Sequence, residues 1–207
     1  MKILFISLGC DKNLADSEEM LGLLTGSGHE IVDSEEDADA IVINTCCFIH
    51  DAKEESVNTI LEMAEYKKTG KCKALIVTGC MAQRYKEEIT QEIPEVDAVL
   101  GTTSYGDIVK ALNEAQAGHV FQEFRDINEL PEDSGRRVLT TGGHFGYLKI
   151  AEGCDKHCTY CIIPSLRGSF RSVPEERLLA QAEYMASQGV KELILVAQET
   201  TVYGTDL

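Results

Sequence analysis

The stretch Gly153-Cys154-Asp155-Lys156-His157-Cys158-Thr159-Tyr160-Cys161 sets three thiols in a CxxxCxxC pattern on what reads as a single loop. Three cysteines so spaced can converge on one small metal object. Four thiols would close a zinc or cluster site, whereas three on a four-iron cubane leave one iron open to a non-protein ligand. A zinc knuckle, or chance spacing, is the competing reading. His157 stands among these cysteines, but it reads as a solvated loop residue because three thiols already suffice.

A second set of thiols emerges from the elements that must carry it. Lys2 to Leu8 is a mostly apolar run read as a strand, and it stops at Gly9-Cys10. Asn13 or Asp16 is expected to cap a helix running to about Thr25, with Ser17-Glu18-Glu19 in its first turn, where the helix dipole favours acidic groups. His29 to Val32 reads as a strand, as does Ala40 to Thr45, which ends on Cys46. Apolar residues at helical spacing mark a helix from Asp51 to Lys68. Ala74 to Thr78 is the next strand and ends in Gly79-Cys80. A helix from Ala82 to about Glu92, a short strand from Ala98 to Leu100 and a helix from Ser104 to Ala115 follow.

Strands alternating with helices across short loops predict a parallel sheet covered on both faces. In such a sheet the ligand crevice lies outside the carboxyl ends of the strands. Cys10, Cys46 and Cys80 all fall at those ends, so three thiols far apart in sequence are expected to gather at one rim. Buried cysteine as a small hydrophobe is the plainer explanation for any one of them. Cys72, between Lys71 and Lys73, is read as a surface or packing residue, and Cys47 is expected to point away from the site if its neighbour is a ligand.

Residues 119–146 loosen into a glycine-bearing, charged linker with room for a short strand at His119 to Phe124. Tyr147 to Ala151 is then the strand before the CxxxCxxC loop. After it come the basic segment from Pro164 to Ser172, a helix from Glu175 to Gln188 that starts after Pro174, and a strand from Glu192 to Ala197. Gln198 and Glu199 lie at that strand's exit. The expected division is a first domain over 1–118, the linker, and a second unit over 147–207.

Composition narrows the classes. Eight cysteines in a chain with no evident signal peptide point to metal or redox chemistry before disulfides. No run reaches the roughly 18–20 apolar residues a membrane span needs, so a cytoplasmic protein without a membrane partner is expected. The net charge of −16, from 35 acidic against 19 basic residues, repels phosphate backbones and attracts basic partners. RNA binding by this portion is therefore not expected.

The fragments SLGCDKNLADSEEMLG, NTCCFIHDAKEESVNTI, TGCMAQRY, EIPEVDAVLGTTSY and AEGCDKHCTYCIIPSLRGSFRS resemble the methylthiotransferase family of radical S-adenosylmethionine (radical SAM) enzymes, essentially from Lys2 to Leu207. Within it, GCDKN at the first cysteine is closer to the branch that acts on an aspartate β-carbon of a small-subunit ribosomal protein than to the tRNA-modifying branch, which typically reads GCQMN. The resemblance implies a flavodoxin-like doubly wound parallel sheet followed by the first βαβ of a radical SAM partial (β/α) barrel. It implies two 4Fe-4S clusters and S-adenosyl-L-methionine: an auxiliary cluster on Cys10, Cys46 and Cys80, and the radical SAM cluster on Cys154, Cys158 and Cys161. Tyr160 takes the aromatic place near the adenine, and Gln198-Glu199 is where a contact to the SAM amino group is expected. Arg167 and Arg171 can each pair with a carboxylate of SAM or substrate, or merely with this protein's acidic surface.

The chemistry so implied breaks an unactivated C–H bond, which no side chain can do unaided. An electron donor of flavodoxin or ferredoxin type is implied as a partner, with the ribosomal protein as substrate. Two departures stand out: Cys47 occupies a place where the family often has glycine, and a barrel of about six βα units is represented by its first βαβ only. The chain alone is accordingly expected to bind clusters but to turn over little or no substrate. The alternatives are a tRNA methylthiotransferase and a non-catalytic iron–sulfur or electron-transfer module.

Overall fold

The computed structural model describes residues 1–132 and 135–207; positions 133 and 134 of the expected linker lie outside the described residues. The chain runs β1 (Lys2–Ser7), α1 (Asp11–Gly26), β2 (Glu30–Val32), β3 (Ala40–Thr45), α2 (His50–Thr69), β4 (Ala74–Gly79), α3 (Cys80–Glu92), β5 (Ala98–Leu100), α4 (Ile108–Gln116) and β6 (Phe121–Glu123). These six strands form one sheet in the order β2-β1-β3-β4-β5-β6, every pairing parallel. The first five follow the flavodoxin-like order, in which the crevice opens at the β1/β3 switch point. Ala98↔Phe121 through Leu100↔Glu123 makes β6 the outer strand of this sheet.

Side-chain alternation sorts the central strands onto two faces. Ile41, Ile43, Leu75 and Val77 pack on one side with Ile60 and Met63 of α2 and Ile89 of α3. Val42 and Ile76 point to the other, against Met20 and Leu24 of α1 and Ile108 and Leu112 of α4. Burial on both faces explains why β3 and β4 read as unbroken apolar runs ending in small polar residues. Each large aliphatic side chain so buried contributes about 1.5–3 kcal/mol.

The second unit comprises β7 (Phe145–Lys149), β8 (Ala151–Glu152), α5 (Ile163–Arg167), β9 (Arg171–Ser172), α6 (Glu175–Ser187) and β10 (Glu192–Val196). β7 and β10 pair in parallel around α6, a right-sized crossover, while β8 pairs with β9 as a short antiparallel ladder. A small core of Leu148, Ile150, Val173, Leu178, Met185 and Val190 holds it together. Leu193, Ile194 and Leu195 of β10 remain exposed. No helix among the described residues is long and apolar enough to cross a membrane.

One local expectation is corrected. α1 starts at Asp11 with Cys10 as its N-cap residue, so Asn13 and Asp16 lie inside the helix and cap nothing. Both are buried, and their side chains are spent on tertiary partners instead of the helix's free amides. The basic segment after the cysteine loop contains the short helix α5, which begins beside Pro164, a residue that suits a first helical turn.

Candidate metal centre

Cys10 follows β1, Cys46 follows β3 and Cys80 follows β4, three strands adjacent in the sheet. Two of these exits need glycine. Gly9 has φ +95°, and a Cβ there would stand 2.7 Å from Cys46 Cβ; Gly79 has φ +93°, with Asn44 Oδ1 only 2.3 Å from such an atom. Both turns therefore bring thiol-bearing backbones closer than any side chain would permit. Ser56 of α2 fixes the third exit: Cys46 N donates to its Oγ at 3.0 Å, and that hydroxyl donates back to Cys46 O at 2.8 Å.

The CxxxCxxC loop leaves β8 through Gly153, whose φ is +75° and whose missing side chain lets Ser169 O approach. Cys154 N donates to Gly168 O at 3.1 Å, closing the base of the loop, and Cys161 N donates to Cys158 O at 3.0 Å. Cys10 and Cys158 are exposed, Cys154 and Cys161 half-buried, Cys46 and Cys80 buried, and all six are free thiols.

All six line one cavity of about 640 Å³. Its walls are mainly apolar, with Phe48, Ile49 and Ile163 among them, and its polar lining includes Lys12, Lys156, Arg167, Gln198 and Glu199. Among the described residues no three thiol, imidazole or carboxylate groups are set to hold a single metal ion. A cubane makes a different demand, since each thiolate binds its own iron and the ligand sulfurs stand apart. Burial pushes the Cys80 thiol up, and the Arg167 guanidinium beside it pulls the other way.

The other sequence-predicted residues fall around the same space. Tyr160 is 88% exposed at the rim. Gln198 lines the cavity with both its amide oxygen and nitrogen buried and without a partner. Such a group is costly unless a ligand satisfies it. Glu199 accepts from Lys156 Nζ at 2.5 Å and from Thr201, and the Lys156 hydrogen bond leads in holding its carboxyl down at about 2. His157 is exposed and takes no part in the lining.

Cys47 lies in the core cluster beneath the rim, and burial pushes its thiol up to about 11. Cys72 is likewise buried, its Sγ donating to Ala74 O at 3.3 Å. Neither lines the cavity.

Sequence reasoning missed the polar seam between the two units. Glu18 of α1 is fully buried, accepts from Arg137 Nε at 2.8 Å and from Thr140 (N 2.7 Å, Oγ1 2.8 Å), and forms an ion pair with Arg137 Nη2 at 2.6 Å. Asp16 receives Lys149 and Arg167, and Lys149 also reaches Glu152 at 2.8 Å. Burial works against the charge on Glu152, but Lys149 and then Arg167 overcome it and hold the carboxyl down at about 2. Glu19, by contrast, is raised above the usual carboxylate range, chiefly by burial, and accepts from Tyr105 OH at 3.0 Å. The acidic run that read as a dipole-favoured first turn is in fact the docking face of α1. Arg167 pairs with carboxylates of this chain, but inside the molecule and not at its surface. Arg171 donates to Arg167 O at 3.1 Å and to Ser169 O.

Comparison with known proteins adds two family matches. Residues 2–101 match the family described as uncharacterized protein family UPF0004, and residues 148–206 match the radical SAM superfamily. Three curated relatives each bear the name ribosomal protein uS12 methylthiotransferase RimO. That of Lachnoclostridium phytofermentans is 65% identical over 207 residues, covering 100% of this chain and 47% of the relative. Those of Clostridioides difficile and Acetivibrio thermocellus are each 50% identical, again over 100% of this chain and 47% of theirs. The chain thus spans about half the length of the curated relatives it matches.

Proposed function

We propose, for a chain that belongs to the radical SAM methylthiotransferase family, that it is the cluster-binding part of an enzyme that methylthiolates the β-carbon of an aspartate in ribosomal protein uS12. The observation that carries this reading is the single cavity lined by both thiol triplets. Residues 1–118 form the unit for the auxiliary cluster, with β6 of the following segment completing its sheet; 119–146 hold the linker up to the start of β7, and 147–207 the start of the radical SAM unit. Cys10, Cys46 and Cys80 would hold the auxiliary 4Fe-4S cluster, and Cys154, Cys158 and Cys161 the radical SAM cluster. Three thiolates per cluster leave one iron of each open, which suits SAM at one and a sulfur at the other.

When bound, these groups and S-adenosyl-L-methionine supply the one-electron chemistry, the hydrogen abstraction and the methylthio group; a flavodoxin- or ferredoxin-type partner would supply the electrons. The chain's own residues do the rest. The Gln198 amide offers one donor and one acceptor set to a polar ligand entering the cavity. Lys156 keeps Glu199 ionised and ties the exit of β10 to the cysteine loop. Tyr160 presents an exposed ring at the rim, where an adenine could stack. Phe48, Ile49 and Ile163 give the space between the triplets an apolar wall.

The test is anaerobic reconstitution with iron and sulfide, followed by elemental counting. The chain should bind about eight irons, and alanine replacement of either triplet should leave about four. Loss of all iron from one triplet's replacement, or none from both, would overturn the assignment.

A further inference from the structure

Arg167 stands where the two thiol sets meet, and none of the chemistry above uses it. Its side chain is 3% exposed. Nη1 donates to Asp16 Oδ2 at 2.8 Å and to Glu152 Oε1 at 3.4 Å, and Nη2 donates to Asn13 Oδ1. Asn13 Nδ2 in turn donates to Leu8 O at 3.0 Å and Thr45 O at 2.9 Å, just upstream of Cys10 and Cys46. Cys80 Sγ lies 3.8 Å from Asn13 Oδ1. On the other side, the residue after Arg167 is Gly168, whose carbonyl accepts the Cys154 amide. One residue thus joins all three strand exits of the first set to the loop that carries the second. A guanidinium stays charged in any protein setting, and its planar fork can hold three acceptors at once; lysine keeps the charge but not the fork.

We propose that Arg167 is a positioning residue that fixes the separation of the two thiol sets through Asn13 and sets a permanent positive charge against Cys80. The charge half of this rests on the reading that Cys10, Cys46 and Cys80 hold a cluster. The potential of such a cluster follows the net charge and hydrogen bonding around its thiolates. Removing Arg167 leaves Asp16 and Glu152 with less cation to face, so reduction becomes harder.

One arm uses the chain with Cys154, Cys158 and Cys161 replaced by alanine and loaded with iron anaerobically. The midpoint potential of Arg167→Gln should shift below the parent's, and that of Arg167→Lys should match it; equal potentials in all three overturn the proposal. A second arm uses the metal-free chain with all cysteines intact. Both variants should speed amide exchange at Cys46 and Cys154 by about tenfold or more, as expected for loss of a buried hydrogen bond to a charged group. Amides of Ala111 and Leu112 in α4 should keep the parent's rate. Unchanged exchange at Cys46 and Cys154 overturns the proposal with or without iron. A parent that takes up no iron sinks the cluster reading and the charge half together, while the exchange arm still decides whether Arg167 positions the two thiol sets. Should Arg167→Gln fail to fold, Arg167→Lys decides alone: faster exchange at the parental potential supports the proposal, and parental exchange refutes it.

Discussion

Replacing Glu18 with alanine should weaken the docking of the second unit on α1, which at this point runs through Arg137 and Thr140 of the linker. The carboxylate is fully buried, accepts three hydrogen bonds, one from Arg137 Nε and two from Thr140, and pairs with Arg137 Nη2 at 2.6 Å. Truncation leaves Arg137 with Tyr147 O at 2.7 Å and little else to balance its charge. Thr140 N and Oγ1 lose the acceptor they share. Breaking a buried pair by removing one partner costs about 3–5 kcal/mol, because the surviving charge is left uncompensated. For a protein of this size that is a fall of about 6–20 °C in Tm. Arg137→Met should cost a similar amount, whereas Glu18→Leu combined with Arg137→Met should recover most of it, since no charge remains buried. The assay is thermal unfolding followed by near-ultraviolet dichroism. Tyr147 and Tyr184 flank Arg137, with Tyr184 OH donating to its carbonyl at 2.7 Å. A Glu18→Ala loss under about 1 kcal/mol, the level of a solvated surface pair, would refute the reasoning.

The same seam sets a pH dependence. Burial works against the charge on Glu152, but Lys149 and Arg167 hold its folded pKa down at about 2 against its ordinary value of 4.5, so its contribution is complete above about pH 4.5 and is lost as pH falls towards 2. Urea titrations across that window should show the decline, and Glu152→Gln should flatten it; an unchanged slope would show that other carboxylates carry the acid lability. Cys47→Ala should leave the iron count unchanged while lowering stability by roughly 1 kcal/mol, the scale of deleting one small buried group. Cys46→Ala, one residue away, should instead halve the iron count, and the reverse order of effects would reassign the ligand.

Much of this molecule follows from local pattern alone. β3 and β4 are apolar on both faces and end in small polar residues, which marks them as central parallel strands whose exits carry Cys46 and Cys80. CxxxCxxC after a short strand places a second thiol set just as directly. These features are legible because strand burial and ligand spacing act over a few residues. Tertiary structure alone decided the roles of Asp16 and Glu18, whose partners Lys149, Arg167 and Arg137 lie more than a hundred residues downstream, and of Glu19, which is buried against Tyr105. On α1 the same acidic run is compatible with a solvated first turn or with a buried face, and only the packing of Tyr105, the Arg137–Thr140 segment, β7 and α5 selects the second. It also fixed what the sequence left conditional, Cys46 lining the cavity while Cys47 enters the core. Adjacent residues leaving a strand point to opposite sides, and which side is the rim depends on the helices packed there.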